Sequence, residues 1–590
     1  MLVVDRAVYQ RLRTHLSQLY GEDELPRLLS RIHLLAGRYG VGSCPDEPCG
    51  RARWDQHDAV LITYGDMVRG EEEPPLRSLR CFLENYLSDT LSAVHVLPFF
   101  PYSSDDGFAV IDYRQVAPAL GDWDDIRALG ADGRYRLMMD LVINHVSSQS
   151  AWFRNFANGI APERHYFIEV EPDTDLGAVT RPRTSPLLRP VQTPSGERLV
   201  WATFSHDQID VDFRNPNVLF EYLDILLFYV HHGARIIRLD AIAYLWKRVG
   251  TNCIHLEQTH LVVKILRDVL DLLAPGIILL TETNVPHPEN VGYFGAGDEA
   301  HMVYQFSLPP LLLHALETGE SRYLMDWITG LEPPPPGCTF FNFTASHDGI
   351  GLRPLEGLLP DEEFEALVER MQQKGGQVSR RENPDGSQTP YELNITYFDA
   401  LSAPGRKDSD VGIARFLCSQ TIMLSLQGIP GIYFNSLVAA PNWLAGVEET
   451  GHARTINRRK WGLAELEDLL GDAVQPASRV LAEYRRLLGI RRAHAAFHPD
   501  GPQRALQLPA GLFGIERAAP DGSERIQVLA NLTAEPLEVQ PQQIGHDFGQ
   551  RQWNELIQGW SGAGAELGPL QLAPYQVMWL QGLRDYIRTN

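Results

Sequence analysis

The sequence predicts an α/β protein: a (β/α)8 TIM barrel with inserted B and B' loop domains and a C-terminal β-sandwich domain. Three observations predict it. Eight short apolar, β-branched runs recur between residues 59 and 434, separated by helix-like stretches. Runs apolar on both faces that alternate with helices indicate a parallel sheet, and eight of them suggest a closed barrel. Polar residues collect at the C-terminal ends of several runs, the end where barrels build their sites. After residue 495 the pattern turns short and β-like.

Residues 1–57 read as a helical N-terminal extension, because VYQRLRTHLSQLYG and ELPRLLSRIHLLAGRY repeat apolar residues at three- and four-residue spacing. That pattern suits packing on the barrel and dimerisation equally. The first part of the barrel, 58–145, contains AVLITYGD (59–66), AVHVLPFF (93–100) and RLMMDLVINH (136–145). An inserted domain over 146–215 includes VTRPRTSPLLRP. The barrel resumes over 216–348 with ARIIRLDAI (234–242), GIILLTETN (276–284), MVYQFSL (302–308) and CTFFNFTASHD (338–348). A second insertion, 349–405, holds RRENPDGSQTPYELN, and QGIPGIYF (427–434) supplies the eighth run within 406–495. GLFGIERA, RIQVLANLT and PYQVMWLQ place a β domain over 496–590. Loops as long as these insertions usually carry function or form small domains.

With 590 residues and 44% hydrophobic content the chain can bury more than one core. A net charge of -23 without a long basic run argues against nucleic acid or an anionic membrane surface as partner. Six cysteines are too few for a disulfide scaffold, and Cys44 with Cys49 lacks a second pair of metal ligands. The N-terminal stretch has no signal-peptide core, and no apolar segment is long enough to span a bilayer, so a cytoplasmic location is expected.

The strand ends carry the chemistry. They hold Asp140, Asn144 and His145, then Arg238 and Asp240, then Glu282, then His347 and Asp348. In a barrel, Asp240, Glu282 and Asp348 would converge on one face. A retaining glycosidic mechanism needs an ionised nucleophile and a protonated acid close together. Arg238 is expected to keep Asp240 ionised, and the apolar strand before Glu282 to raise its pKa. Asp348 suits stabilisation of an oxocarbenium-like transition state, and His145 and His347 suit hydrogen bonds to sugar hydroxyls. Taken singly, a strand-end Asp is more often a helix cap. A cation site at Asp140, Asn144 and His145 is weak, since nothing there forms a cation loop.

The segments DLVINH, IIRLDAIAY, LLTETN and FTASHD resemble, in order and position, the four short regions of the α-amylase superfamily, glycoside hydrolase family 13. The resemblance covers most of residues 58–590. It implies that Asp240 is the nucleophile, Glu282 the acid/base and Asp348 the transition-state stabiliser, with Arg238, His145 and His347 at sugar-binding positions. Within the family, LITYGD, HVLPFFPYSSDDGFAVIDY, SHDGIGLRPLEGLLPDEE and TINRRKW are similar to the sucrose phosphorylase branch. That similarity implies that Asp105, Phe108 and Arg454 line a glucose pocket with Phe204 and Gln208 beside it. It implies that Arg183, Tyr244, Tyr391 and Glu392 serve the phosphate and acceptor site.

The chain departs from the sucrose enzymes in carrying TPYE (Thr389 to Glu392) in place of Asp-Leu-Tyr-Gln, and Asn284 in place of a His. These features, with the N-terminal extension and NPDGSQTPYELN, resemble the glucosylglycerate phosphorylases of the same branch. The implied acceptor is then D-glycerate, with Arg183, Lys374, Arg380 or Arg381 available for its carboxylate. Rival acceptors are those of sucrose, sucrose 6-phosphate and glucosylglycerol phosphorylases. A rival of another class is an amylosucrase-like transglucosidase or α-glucosidase working without phosphate. A non-catalytic barrel is disfavoured by the presence of all three carboxylates. No cofactor and no metal is implied, the partners are small-molecule substrates, and the oligomer is a monomer or homodimer.

Overall fold

The computed structural model describes residues 5–40, 53–383, 386–402 and 410–583. Eight strands close into a barrel. They are β1 (Val60–Thr63), β2 (Ala93–Val96), β3 (Arg136–Val142), β4 (Ala234–Asp240), β5 (Ile278–Thr281), β6 (Met302–Tyr304), β7 (Thr339–Phe343) and β8 (Ile429–Tyr433). Every neighbouring pair is parallel, and β1 closes on β8 with Val60 opposite Gly431. All eight apolar runs thus become barrel strands in the order the sequence predicts. Their two faces are buried alike because one fills the barrel and the other meets the helices. Interior packing is tight: a Cβ at Gly431 would stand 2.4 Å from the Phe341 ring, so only glycine fits there.

The strands are shorter than the apolar runs. β3 ends at Val142, so Asn144 lies beyond the ladder and His145 opens a separate strand, His145–Ser147, paired with Gln208–Asp210. β6 stops at Tyr304, and the rest of its run leads into the helix Leu308–Thr318. Pro309 and Pro310 sit in that helix's first turn, where an N–H has no intrahelical acceptor to lose. β7 ends at Phe343, which leaves His347 and Asp348 on the loop above it.

The N-terminal helices are α1 (Arg6–Tyr20) and α2 (Leu25–Tyr39). Asp5 caps α1 by accepting from the N–H groups of Ala7 and Val8. α1 buries Val8, Leu12 and Leu16 and is tied to the barrel helix Glu257–Leu273, where Arg11 Nε donates to Asp268 at 3.0 Å and His15 Nδ1 lies 2.8 Å from the same carboxylate. α2 lies on the helix Pro216–His231, with the Arg31 guanidinium 3.9 Å above the Phe220 ring. Both helices dock on the outer layer of the barrel. The helical reading of 1–57 is corrected at its end: α2 stops at Gly40, which takes a φ of 62°, and residues 53–57 form no helix. There Trp54 Nε1 donates to Asp500 at 2.8 Å. Cys44 and Cys49 lie outside the described residues, as do 384–385, 403–409 and 584–590 of the predicted insertion, barrel and C-terminal segments.

The segment 146–215 carries a sheet of Glu169–Val170, Gly196–Trp201 and Leu188–Thr193. The segment from 349 carries Ile350–Gly351, Gln388–Asn394 and Gln377–Glu382 beside the helix Asp361–Gln373. Beyond residue 500 a six-stranded sheet faces the pair Leu537–Val539 and Leu570–Leu572. Leu529, Val539, Trp553, Leu572 and Leu580 form the core between them, a sandwich arrangement. No helix among the described residues is long and apolar enough to cross a membrane.

Candidate active site

The C-terminal ends of β3, β4, β5 and β7 and both inserted segments surround a narrow cavity of about 70 Å³, partly open to solvent. Asp240, Glu282 and Asp348 all face it. Asp240 is the last residue of β4, and the chain turns at once: Ala241 takes a φ of 52°, a left-handed conformation costly for a residue with a Cβ. The turn aims the Ala241 N–H at Glu282 Oε2, 3.1 Å away. Glu282 therefore lies beside the turn that follows Asp240, across adjacent strands.

Arg238 lies beneath the cavity, 2% exposed, and does not line it. Its Nη1 donates to Asp240 at 2.9 Å and to Asp140 at 2.5 Å, and its Nη2 lies 3.9 Å from Glu282. The guanidinium sits between the Phe108 and Tyr304 rings, 5.7 Å from each centroid. His95 Nε2 reaches the other oxygen of Asp140 at 2.6 Å. Burial opposes ionisation of Asp140, but the charges of His95 and Arg238 prevail and hold its carboxyl down to about 2.

Arg238 pairs with Asp240 as expected and favours its charged form, but it is shared with Asp140 and is opposed by burial. Burial raises Asp240 well above the ordinary carboxylate range; Arg238 opposes the rise, while Glu282 and Asp140 add to it. Glu282 is raised as well, by burial first, against Arg238 and with repulsion from Asp348. Burial thus disfavours charge on both carboxyls, and the repulsion of Glu282 adds to the rise of Asp240. One acid and one anion are what a retaining displacement requires.

Asp348 is lowered: burial opposes its charge, but Arg454, Arg458 and Arg238 outweigh it. Arg454 Nη1 pairs with Asp348, while its Nε and Nη2 fork onto Glu392 at 2.9 and 2.6 Å. The Gly349 N–H also donates to Glu392, at 3.1 Å. Glu392 thus faces the cavity with its carboxylate already engaged. His347 lies flat on Phe108 at 4.7 Å, and burial followed by the charge of Arg238 keeps it neutral. His145 is lowered by burial; its Nε2 is 3.0 Å from the Phe108 carbonyl oxygen and 3.1 Å from Gln208 Nε2. Asp105, at φ 53°, lies 3.5 Å from the Gln208 amide.

At the outer end the Arg183 guanidinium stands 5.5 Å from the Tyr391 ring and 5.9 Å from the Phe204 ring. Among the described residues its one side-chain hydrogen bond is a long one, 3.4 Å to the Pro182 carbonyl. Tyr244 meets Phe204 edge-on at 5.4 Å, and burial raises its phenol. Every predicted site residue except Arg238 lines the cavity.

Three of the cations considered for an acceptor carboxylate are placed elsewhere. Lys374 is bound to Glu317 at 2.7 Å, Arg381 to Glu356 at 2.8 Å, and Arg380 is exposed; none lines the cavity. Sequence reasoning did not single out Phe306, Thr283, Val285 and Gly349, which also line it, or Arg458, whose Nε donates to the His347 carbonyl at 2.8 Å. Phe306 follows the end of β6, so the strand-end rule could have found it.

Comparison with known proteins agrees with this arrangement. Residues 85–329 match the family model described as Alpha amylase, catalytic domain. The glucosylglycerate phosphorylase of Allomeiothermus silvanus is 46% identical over 97% of this chain and 98% of its own length. That of Spirochaeta thermophila is 45% identical over 98% and 99%. The crystal structure of sucrose 6F-phosphate phosphorylase from Thermoanaerobacter thermosaccharolyticum superposes with a TM-score of 0.70 at 27% identity, covering 82% of this chain and 96% of that one.

Proposed function

The chain belongs to the glucosylglycerate phosphorylases of the α-amylase superfamily, and from that membership we propose the reversible phosphorolysis of 2-O-α-D-glucosyl-D-glycerate to α-D-glucose 1-phosphate and D-glycerate. Asp240 attacks the anomeric carbon while Glu282 gives its proton to the departing glycerate oxygen, leaving a β-glucosyl-enzyme. Phosphate then attacks the same carbon, passes its proton to Glu282 and frees Asp240, so the α configuration is retained. Asp348, held by Arg454, faces the ring whose charge develops in each step. His145, His347, Phe108, Asp105, Phe204 and Gln208 enclose the glucosyl unit. Arg183, with Tyr391 and Tyr244, receives phosphate.

The observation that carries this reading within the site is Arg183. An arginine with no carboxylate partner among the described residues, lining the same cavity as three carboxylates, provides an anion subsite where an anion would otherwise be repelled. Because its product is charged and its co-substrate is inorganic phosphate, we place the enzyme in the cytoplasm.

The reading is tested by phosphate release from α-glucose 1-phosphate with D-glycerate, L-glycerate, fructose, fructose 6-phosphate, glycerol or water as acceptor. D-glycerate is expected to exceed every other acceptor by at least roughly tenfold in kcat/KM, about 1.4 kcal/mol of transition-state binding. Release with fructose or glycerol in preference would overturn the acceptor, and acceptor-independent hydrolysis alone would overturn phosphorolysis.

A further inference from the structure

The cavity draws Asp105 from the loop after β2, and His347 and Asp348 from the loop after β7. Asp105 and the next residue, Asp106, both take left-handed backbone, with φ of 53° and 48°, which is costly for residues that carry a Cβ. From within the cavity Asp105 is held loosely: the Gln208 amide stands 3.5 Å away, at the limit of a hydrogen bond. A second, wider cavity of about 960 Å³ shares Asp105, Gln208 and Arg454 with the first. Asp105 is thus a partition between two spaces. A side chain so placed keeps one position against a substrate only if a group outside the pocket fixes it.

Arg458 supplies that tie. It is buried, and it lines the second cavity but not the first. Its Nη1 donates to Asp106 Oδ2 at 2.8 Å and lies 3.6 Å from Asp105 Oδ1. Its Nε donates to the His347 carbonyl at 2.8 Å, and its Nη2 is 3.7 Å from Asp348 Oδ1. One planar guanidinium therefore joins both loops. Its own position is fixed from the barrel. The carbonyl of the preceding residue, Asn457, accepts from the Tyr433 hydroxyl at 2.9 Å and from Asn435 Nδ2 at 3.0 Å. The Asn457 amide in turn donates to the Ser346 carbonyl at 2.7 Å, on the same loop as His347. Burial opposes the charge of Asp348, and Arg458 helps Arg454 to outweigh it.

We propose that Arg458 is a positioning residue that sets selectivity for the glucosyl ring by holding Asp105 and His347 in place, without touching the substrate itself. This rests on the reading of the cavity as a glucosyl pocket, and the test separates the two. Free glucose and its epimers galactose, mannose and allose are measured as competitive inhibitors against α-glucose 1-phosphate, with D-glycerate as acceptor. The proteins are the wild type, Arg458→Gln, Arg458→Lys, Asp106→Asn and Arg459→Gln. The wild type should bind glucose more tightly than each epimer. In Arg458→Gln the preference over at least one epimer should fall by roughly tenfold or more, the scale of a misplaced charge-assisted hydrogen bond. Asp106→Asn cuts the same tie from a side chain that is 43% exposed, and should move the same preference in the same direction. Arg458→Lys should fall between, since an ammonium keeps the charge but not the fork. Arg459→Gln, whose side chain pairs with Glu465 outside both cavities, should keep the wild-type preference. A folded Arg458→Gln protein with unchanged preference over all three epimers would overturn the proposal even if turnover falls, because a general structural loss does not change which sugar fits. If Arg458→Gln does not fold, an unchanged preference in Asp106→Asn would overturn it equally. A wild type that binds an epimer as tightly as glucose would overturn both this proposal and the glucosyl reading beneath it.

Discussion

Asp240 carries a strain that the fold has to support. Burial and the nearby Glu282 and Asp140 raise its carboxyl above the ordinary value of 3.8, against the pull of Arg238. Between that value and the raised one, the folded protein binds more protons than the unfolded chain. Stability contributed by this group is therefore lost as pH rises through that window. Asp240→Asn removes the buried charge and leaves Arg238 its pairing with Asp140. The variant should melt above the wild type at pH 7, by on the order of 1–3 °C for a chain of this size, and the gap should close toward pH 4. Thermal melts across that range check it; a variant less stable at pH 7 would show that Arg238 stabilises the anion outright. The sequence carried Asp240, Glu282 and Asp348 plainly, because each stands at or just past the end of an apolar strand. It did not carry the division of Arg238, since the competing Asp140 is 98 residues away and meets it only through the pairing of β3 with β4.

At the scale of elements, the site is held by contacts between barrel loops and insertions. Glu392 comes from the strand Gln388–Asn394 and Arg454 from the loop after β8, and their fork fixes the arginine against Asp348. Glu392→Gln leaves an amide where the fork needs two anionic oxygens. The expected result is a roughly 10- to 100-fold loss in kcat/KM for α-glucose 1-phosphate, about 1.4–2.7 kcal/mol, read by steady-state kinetics. Unchanged kinetics would mean that Asp348 alone positions Arg454. Apolar periodicity made the barrel strands legible in order, but not where each ladder stops. Pairing across elements was also hidden. Lys374, Arg380 and Arg381 looked available because they precede TPYE, yet the hairpin register sets Arg381 opposite Thr389, whose hydroxyl takes its Nε–H.

For the whole molecule, the architecture separates support from chemistry. The barrel presents three carboxylates from three strands, the segments 146–215 and 349–402 roof them with Arg183, Tyr391 and Glu392, and α1 and α2 brace the outer helices. In a chain with net charge -23, the cavity itself carries two arginines, Arg183 and Arg454, among its carboxylates. The docking side of the extension was open in the sequence because an amphipathic helix shows only that it has a partner, not which surface that partner offers.

In the proposed mechanism glucose passes through a covalent bond to Asp240 and is handed to phosphate. That transfer is tested most directly by isotope exchange between labelled inorganic phosphate and α-glucose 1-phosphate with no glycerate present. The account predicts exchange at a rate comparable to turnover in the wild type, and loss of exchange by at least roughly 10⁴-fold in Asp240→Ala with the fold intact. Exchange that needs glycerate, or that survives in Asp240→Ala, would contradict it.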